Sequence, residues 1–424
     1  MFPAFALSLA LLNPALPDQE IALFSPEDVP HQPFVVLMDL RAAEDYSVSE
    51  LRALRSRIEE ERDQKIAELK QREDEWKKKL NVLRDELVGL NKLGSEDTKR
   101  SSERRSELHI EISALERVIR DESVERERTI PAAYDLQLAK LWVAEHWPRR
   151  RTEIEREIEE GAARERRHGD AEDIGYRQFV KNPEEDIAAG EQAARQMAAG
   201  GWLPFELQDH EVQTYVRQIA ARLAANSDLK VPLRVTVLDS DELKAIAVPG
   251  GYLYVTSGVV RAARSESELA GVLSREIARI AARHATRSSK VTLVSKIVMP
   301  VTQLAAGIFT AGTVSPAAYY GIGYGVEGLS GLMVRMLNGT DEKFETEADQ
   351  LGIQYAWKAG YDPRGFVAFL DSVAGKGENN FLRQEPRLQK RMLNAFSEIE
   401  YLPPQREAIP DVGDFESVRR RLVR

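Results

Sequence analysis

Hydrophobic residues in the first third of the chain recur in alternating steps of three and four, which places an apolar stripe along a helix. One series has Glu73 in its single polar slot. Gly94 and Ser95 stand between the two series, where a turn fits. The pattern predicts two long amphipathic helices folded into an antiparallel hairpin. The two series are Leu69, Trp76, Leu80, Leu83, Leu87 and Leu90, then Leu108, Ile112, Leu115 and Ile119.

A third polar helix is predicted from Ala132 to Arg167, with Trp142 and Trp147 as packing anchors and Pro148 as a break or kink. A narrow apolar seam buries too little surface to be stable alone. We therefore expect it to pack on its own hairpin partner, on the C-terminal domain or on another subunit. A solvated coiled coil is favoured over a dedicated docking arm.

From about Asn182 the charge falls, and helical and strand patterns alternate. Helices are predicted from Pro183 to Met197, from Glu211 to Ala225 and from Glu266 to Arg287, the last of these preceded by Ser265 as N-cap. Alternating residues predict strands at 233–238 and 252–256, with the turn Val248-Pro249-Gly250-Gly251 before the second. The pattern indicates a mixed helical and strand domain.

Composition narrows the classes of function. Of the 80 residues from 51 to 130, 40 are charged, against 30% in the whole chain of 424 residues. The formal net charge of −10 gives no general attraction to nucleic acid, because phosphate contacts need a basic surface. The absence of cysteine excludes disulfides, thiolate metal sites and thiol nucleophiles.

Two apolar runs bear on location. The run from Phe2 to Leu12 has the length of a signal peptide and is too short to span a bilayer, so we expect an exported protein. The run from Val291 to Gly312 is interrupted by Lys296 and Pro300, and we interpret it as a buried helix or a cover over a cleft.

Four motifs in one order resemble a known family. They are Pro249-Gly250-Gly251-Tyr252, the helix 268–284, Glu345-Thr346-Glu347-Ala348-Asp349, and Ala359-Gly360-Tyr361-Asp362-Pro363. Together they resemble the integral and periplasmic zinc metallopeptidases (gluzincins) that include the CAAX prenyl endopeptidase, HtpX and BepA. The resemblance covers roughly residues 183–392 and implies a zinc-dependent endopeptidase.

The metal-binding motif departs from this family. In an HExxH helix two neutral imidazoles four residues apart hold Zn²⁺, and the intervening Glu acts as general base. Here both ligand positions are arginine, Arg275 and Arg279, while Glu276 stands at the base position and Glu345 at the third-ligand position. A guanidinium has no lone pair to donate and stays protonated. We expect that zinc is lost and that Glu276 is a vestigial base.

Charge arithmetic gives a hypothesis for what replaced the metal. Two guanidiniums and two carboxylates sum to zero, as does Zn²⁺ with two neutral His and two carboxylates. We therefore expect Arg275 and Arg279 to pair with Glu345, and also with Glu276, because an unpaired buried charge costs several kcal/mol. The alternative places both arginines on a solvated helix face.

Other candidate residues have a structural alternative. Gly250, Gly251, Tyr252 and Tyr254 are candidates for peptide binding, because in the family this strand is the edge at which substrate adds as a further strand. A simple turn explains the glycines equally well. His284, Asp349 and Glu385 match supporting positions, Glu385 replacing a family histidine. Five glycines between 321 and 331 fit either a lid over the cleft or close helix packing.

The sequence thus predicts an α+β fold, a mostly helical zincin-like domain with a small β-sheet after a long coiled-coil-like hairpin. Residues 1–33 are predicted as a signal-like or disordered terminus, 34–175 as the charged helical region and 176–424 as the metallopeptidase-like domain. The preferred function is an inactive homologue that binds a protein or peptide, in the periplasm or envelope of a bacterium. Membrane proximity and self-association through the helical region stay open. The alternatives are an active metalloendopeptidase with a non-standard, all-oxygen metal site, and a structural coiled coil with a relic domain.

Overall fold

The computed structural model describes residues 25–40, 47–92, 99–161, 168–179, 183–199, 201, 203–287, 342–374, 388–405 and 413–422. This described part of the chain is mostly helical with one small sheet, which confirms the expected α+β fold class. The helices are α1 (Phe34–Leu37), α2 (Val48–Lys92), α3 (Lys99–Val124), α4 (Ile130–Glu159), α5 (Pro183–Ala199), α6 (His210–Ala225), α7 (Ser257–Ala262), α8 (Glu266–Ala281), α9 (His284–Arg287), α10 (Glu342–Lys358), α11 (Gly365–Ala374), α12 (Leu388–Tyr401) and α13 (Phe415–Arg420). The strands are β1 (Arg234–Leu238), β2 (Ala245–Val248) and β3 (Tyr252–Thr256).

The helical arm, α2 to α4, is an antiparallel hairpin as predicted. An ion pair of 2.7 Å joins Arg84 to Glu116, and one of 2.8 Å joins Arg52 to Glu145. Helix α2 therefore runs in the opposite direction to α3 and α4. Glu73 in the polar slot is 4% exposed and lies 2.9 Å from Arg126 Nε. A hydrogen bond from Lys77 is the main cause that lowers the pKa of Glu73. The buried carboxylate is therefore kept ionised inside the seam.

The returning side of the arm is longer than predicted. A π-helical turn at Glu125–Thr129 joins α3 directly to α4, so the separate helix expected from Ala132 is a continuation. The expected end at Arg167 was also wrong, because α4 ends at Glu159. Pro148 lies inside α4 and does not end it. A π turn realigns the apolar stripe without stopping the helix, which periodicity alone does not reveal.

The sheet has the order β1-β3-β2, with β3 parallel to β1 and antiparallel to β2. The expectation that the strand beginning at Tyr252 forms an edge was therefore wrong, since β3 is paired on both sides. Strand β2 was not predicted from the sequence. All four of its residues are buried, so the alternation that marks a half-exposed strand is missing.

Helix α8 lies in the middle of the domain, between the sheet and helices α6, α10 and α11. Its N-cap Ser265 accepts a hydrogen bond from the Glu268 amide, as predicted. The predicted end at Arg287 was wrong, because α8 stops at Ala281 and Arg283 takes a left-handed conformation with φ +58°. His284 consequently begins the separate short helix α9.

The base of the arm shares its hydrophobic core with the rest of the chain. Trp147 is fully buried and its ring meets that of Phe396 edge-on at 5.2 Å. Lys140 on α4 lies 3.0 Å from Asp371 on α11. Val29, which belongs to the predicted N-terminal segment, is also fully buried in this core. The division at 33 and 175 stays a prediction. Within the described residues, no helix is long and apolar enough to cross a membrane.

Candidate functional site

Helix α8 directs Arg275 and Arg279 towards helix α10. The two arginines are four residues apart, hence on one face of the helix, and each is 3% exposed. The axes of α8 and α10 come close at Gly352, where a built Cβ would stand 2.7 Å from Arg275 Cα. Because Gly352 has no side chain, the two helices can pack closely beside the backbone of Arg275.

Both guanidiniums pair with Glu345 on α10, as charge arithmetic predicted. Arg275 donates from Nη2 to Glu345 Oε2, and Arg279 donates from Nη2 to Glu345 Oε1. Arg275 Nη1 also donates to Glu276 Oε1 at 2.6 Å, and Arg279 Nε lies 3.5 Å from the same oxygen. Both carboxylates are 1% exposed, so the alternative of a solvated helix face is contradicted.

The cluster extends further than the sequence predicted, to Asp349 and Arg391. Arg275 Nε donates to Asp349 Oδ1 at 2.6 Å, and Arg391 on α12 donates to both oxygens of Asp349, one of them at 2.8 Å. We call these six residues the charge cluster: Arg275, Glu276, Arg279, Glu345, Asp349 and Arg391.

Arg391 was not among the site residues predicted from the sequence. The signal was present, because the apolar residues Leu388, Met392 and Ala395 mark the inner face of α12 and Arg391 lies on that face. A charged residue on an apolar face needs a buried partner. What the pattern could not reveal was that its partner is Asp349.

The charge cluster has no net formal charge, since three guanidiniums face three carboxylates. Burial by itself lowers the pKa of Arg275, but the charges of Glu345, Asp349 and Glu276 outweigh it and raise that pKa. Burial and the charge of Arg275 lower the pKa of Arg279, which nevertheless starts from a value so high that it stays protonated. Burial raises the pKa of Asp349, and the charges of Arg391 and Arg275 reverse this and lower it. The charges of the cluster thus keep Arg275 protonated and Asp349 ionised.

His284 lies beside the charge cluster. Its Nε2 is 3.0 Å from Glu347 Oε2, its ring stacks on Phe344, and it is 1% exposed. Burial is the main cause that lowers its pKa. Arg287 donates to the same Glu347 oxygen at 2.9 Å. These contacts tie α9 to α10, and a supporting role of His284 stays a prediction.

The turn at Pro249–Gly251 needs its glycines for packing. Gly250 and Gly251 have φ of +73° and +93°, in the region that favours glycine. A built Cβ at Gly250 would stand 2.6 Å from the Asp186 carbonyl oxygen, and one at Gly251 would stand 2.0 Å from that of Pro232. Backbone contact therefore explains both glycines. A role in binding for them and for the partly buried Tyr252 and Tyr254 stays a prediction.

A small cleft lies between this turn and the C-terminal end of α8. Its lining combines apolar residues of β2 and α8 with charged residues of both signs. The charged lining residues are Asp186, Lys230, Arg279 and Arg283. Arg283 and Asp186 pair across it at 2.7 Å. Arg279 thus belongs both to the charge cluster and to the lining of this cleft. Glu385, the apolar run 291–312 and the glycine-rich segment 321–331 lie outside the described residues.

Comparison with known proteins agrees with this architecture. The profile of peptidase family M48 matches residues 209–399. The beta-barrel assembly-enhancing protease of Yersinia pestis is 28% identical over 210 residues, 48% of this chain and 40% of the relative. That of Escherichia coli strain K12 is 26% identical over 246 residues, 56% of this chain and 48% of the relative. The mitochondrial metalloendopeptidase OMA1 of Schizosaccharomyces pombe is 29% identical over 191 residues, 43% of this chain and 52% of the relative.

The chain thus spans about half the length of these relatives. The matched region starts just before α6 and ends within α12, so it contains the sheet, helix α8 and helix α10. The helical arm lies outside it. Residues 209–399 thus match peptidase family M48, and the fold of this part of the chain, called the M48 domain below, agrees with the match.

Proposed function

We propose that this chain is a pseudo-peptidase, an M48 domain that keeps the cleft of a peptidase and binds a protein or peptide without cleaving it. The observation that carries the proposal is the pairing of Arg275 and Arg279 with Glu345 on the buried face of α8. These are the positions that the resemblance assigns to the two imidazoles and the carboxylate of a zinc site.

The residues present do not fit Zn²⁺. Protein zinc sites use Cys, His or carboxylate donors, each with a lone pair for the metal. Arg275 and Arg279 offer only N–H donors, and Glu345 accepts one of these on each of its oxygens. Two positive charges at the same place would also repel a cation. Without a metal, Glu276 alone cannot generate hydroxide near neutral pH.

The same contacts argue against a metal site built from oxygen ligands. Glu276 and Glu345, two of the three carboxylates that such a site would use, are hydrogen-bonded to guanidiniums. A hard cation on these ligands would have to displace Arg275 from both. An active endopeptidase is therefore the outcome that the experiment must exclude.

The experiment measures zinc content and cleavage on the purified chain. Elemental analysis after dialysis should find far less than one zinc per chain. Casein and a quenched fluorescent peptide library should be cleaved no faster than by the Glu276→Gln variant, with thermolysin as positive control. Stoichiometric zinc, together with cleavage that a chelator and Glu276→Gln both abolish, would overturn the proposal.

We further propose that the partner is an envelope protein. Support comes from the bacterial relatives, which are named beta-barrel assembly-enhancing proteases, and from the signal-like start of the sequence. In vivo crosslinking through a photoreactive residue at Lys230, which lines the cleft, should capture a partner from the envelope fraction. The same residue at Val82, 65% exposed on the arm, is the matched control. Crosslinking at Val82 alone would favour a structural coiled coil with a relic domain.

A further inference from the structure

The charge cluster connects three helices that are far apart in the sequence. Arg275 on α8 donates to Glu345 and Asp349 on α10, and Arg391 on α12 donates to Asp349. Asp349 therefore accepts from two helices at once. Helix α12 also packs on the arm, through the contact of Phe396 with Trp147. The charge cluster is therefore linked to the arm through α12.

The cluster without Arg275 and Arg279 would have a net charge of −2. Glu276, Glu345 and Asp349 would then face Arg391 alone, each of the four at most 3% exposed. A buried double negative charge is strongly unfavourable and selects either protonation or a cation. A divalent cation would neutralise this charge of −2, and in this chain the two guanidiniums neutralise it.

We propose that Arg275 and Arg279 perform the cross-linking that a divalent cation performs in a metal-bound protein, so that this fold needs no metal. This inference rests on the proposed function in one respect only, namely that the native cluster holds no zinc. It goes further in assigning the two arginines a task, which is to hold α8 on α10. Arg391 extends the same cross-link to α12.

The test compares two double variants with the native chain by thermal unfolding in EDTA and in ZnCl₂. The native melting temperature should be the same in both. Arg275→Gln with Arg279→Gln removes both charges without adding a metal ligand, and its melting temperature should fall by about 5–10 °C in both solutions. The melting temperature of the variant with Arg275→His and Arg279→His should fall as far in EDTA and regain most of the loss in ZnCl₂. Native mass spectrometry should find one zinc bound to this variant.

Three results would overturn the inference. They are a native melting temperature that rises with zinc, a glutamine variant as stable as the native chain, and a folded histidine variant that ignores zinc. If both double variants fail to fold, a cycle of Arg279→Gln and Glu345→Gln decides. The two changes together should lower the melting temperature by less than the sum of the separate effects, and a simple sum would refute the cross-link. Cleavage by the native chain would refute the proposed function and leave these stability results standing.

Discussion

Arginine and histidine differ at position 275 in the direction of their polar contacts. An imidazole presents a lone pair to a cation, whereas the guanidinium of Arg275 donates hydrogen bonds to three carboxylates. The same carboxylate, Glu345, that would complete a metal site therefore becomes the shared acceptor of Arg275 and Arg279. Whether these positions form a metal site or a set of ion pairs thus depends on the side chains at 275 and 279.

Glu345→Ala should lower the free energy of unfolding by about 3–5 kcal/mol, because it leaves two buried guanidiniums without their shared partner. Urea unfolding followed by circular dichroism measures the loss. The control is Glu342→Ala, an exposed change in the first turn of the same helix. Equal stability of the Glu345→Ala variant and the native chain would contradict the buried pairing.

His284 should make the fold sensitive to mild acid. Burial holds its pKa in the folded chain below the ordinary value near 6.5, so the unfolded chain takes up a proton first as the pH falls. The stability contribution is therefore complete above about pH 6.5 and is lost as the pH falls from there towards the lowered pKa. Urea unfolding at pH 7.5, 6.5 and 5.5 should show this slope, and His284→Gln should flatten it. His109→Gln, exposed on the arm, should keep the native slope.

At the scale of elements, the close contact of α8 with α10 determines which residues can meet. Gly352 permits that contact, so Arg275 and Arg279 reach Glu345 directly. The sheet adds the second constraint, because β2 lies beside β3 and leads into the turn at Pro249–Gly251 that lines the cleft. The cleft and the charge cluster are neighbours because α8 contributes to both.

Gly352→Ala should destabilise the fold by about 1–3 kcal/mol, since its methyl group would overlap the Arg275 backbone and push the helices apart. Gly89→Ala is the matched control, a helical glycine of the arm with nothing within 4 Å of the built Cβ. That change should stabilise by about 0.5–1 kcal/mol through helix propensity. Calorimetry of both variants gives the comparison. If Gly352→Ala left the stability unchanged, the contact between α8 and α10 would have room for a methyl group.

At the scale of the whole molecule, the arm and the M48 domain are joined by a continuous core. Lys140 and Trp147 of α4 contact α11 and α12, and the Trp147 indole donates to the Met38 carbonyl at 2.9 Å. The distal half of the arm instead packs on itself, around Leu80, Ile112 and Leu115. We therefore expect the base of the arm to unfold together with the domain.

Trp147→Ala should cost about 3–5 kcal/mol, because it removes a fully buried aromatic side chain from this shared core. Hydrogen exchange should then rise in α4 and in α12 together. Trp76→Ala, in the distal cluster, should raise exchange only in the arm. Faster exchange in α4 without any change in α12 would show that the arm and the domain unfold separately.

How much the sequence could predict depended on the range of the interaction. The hairpin, α5, α6 and the start of α8 follow from local periodicity and capping, so they were predicted closely. The strand β2 and the central place of β3 were not, because a short buried strand has no alternation and pairing joins residues far apart in the chain. The end of α8 at Ala281 was missed because the left-handed conformation of the following Arg283 is rare for a non-glycine residue.

The sequence by itself determined that permanently charged donors occupy the ligand positions of the helix, since side-chain chemistry does not depend on the fold. It also required carboxylate partners for them, because a buried charge must be balanced. Only the tertiary structure decided that Asp349 and Arg391 complete that balance and that three helices meet there. The physical reason is that an ion pair forms where helix packing brings its members within reach, and that distance is a property of the folded chain alone.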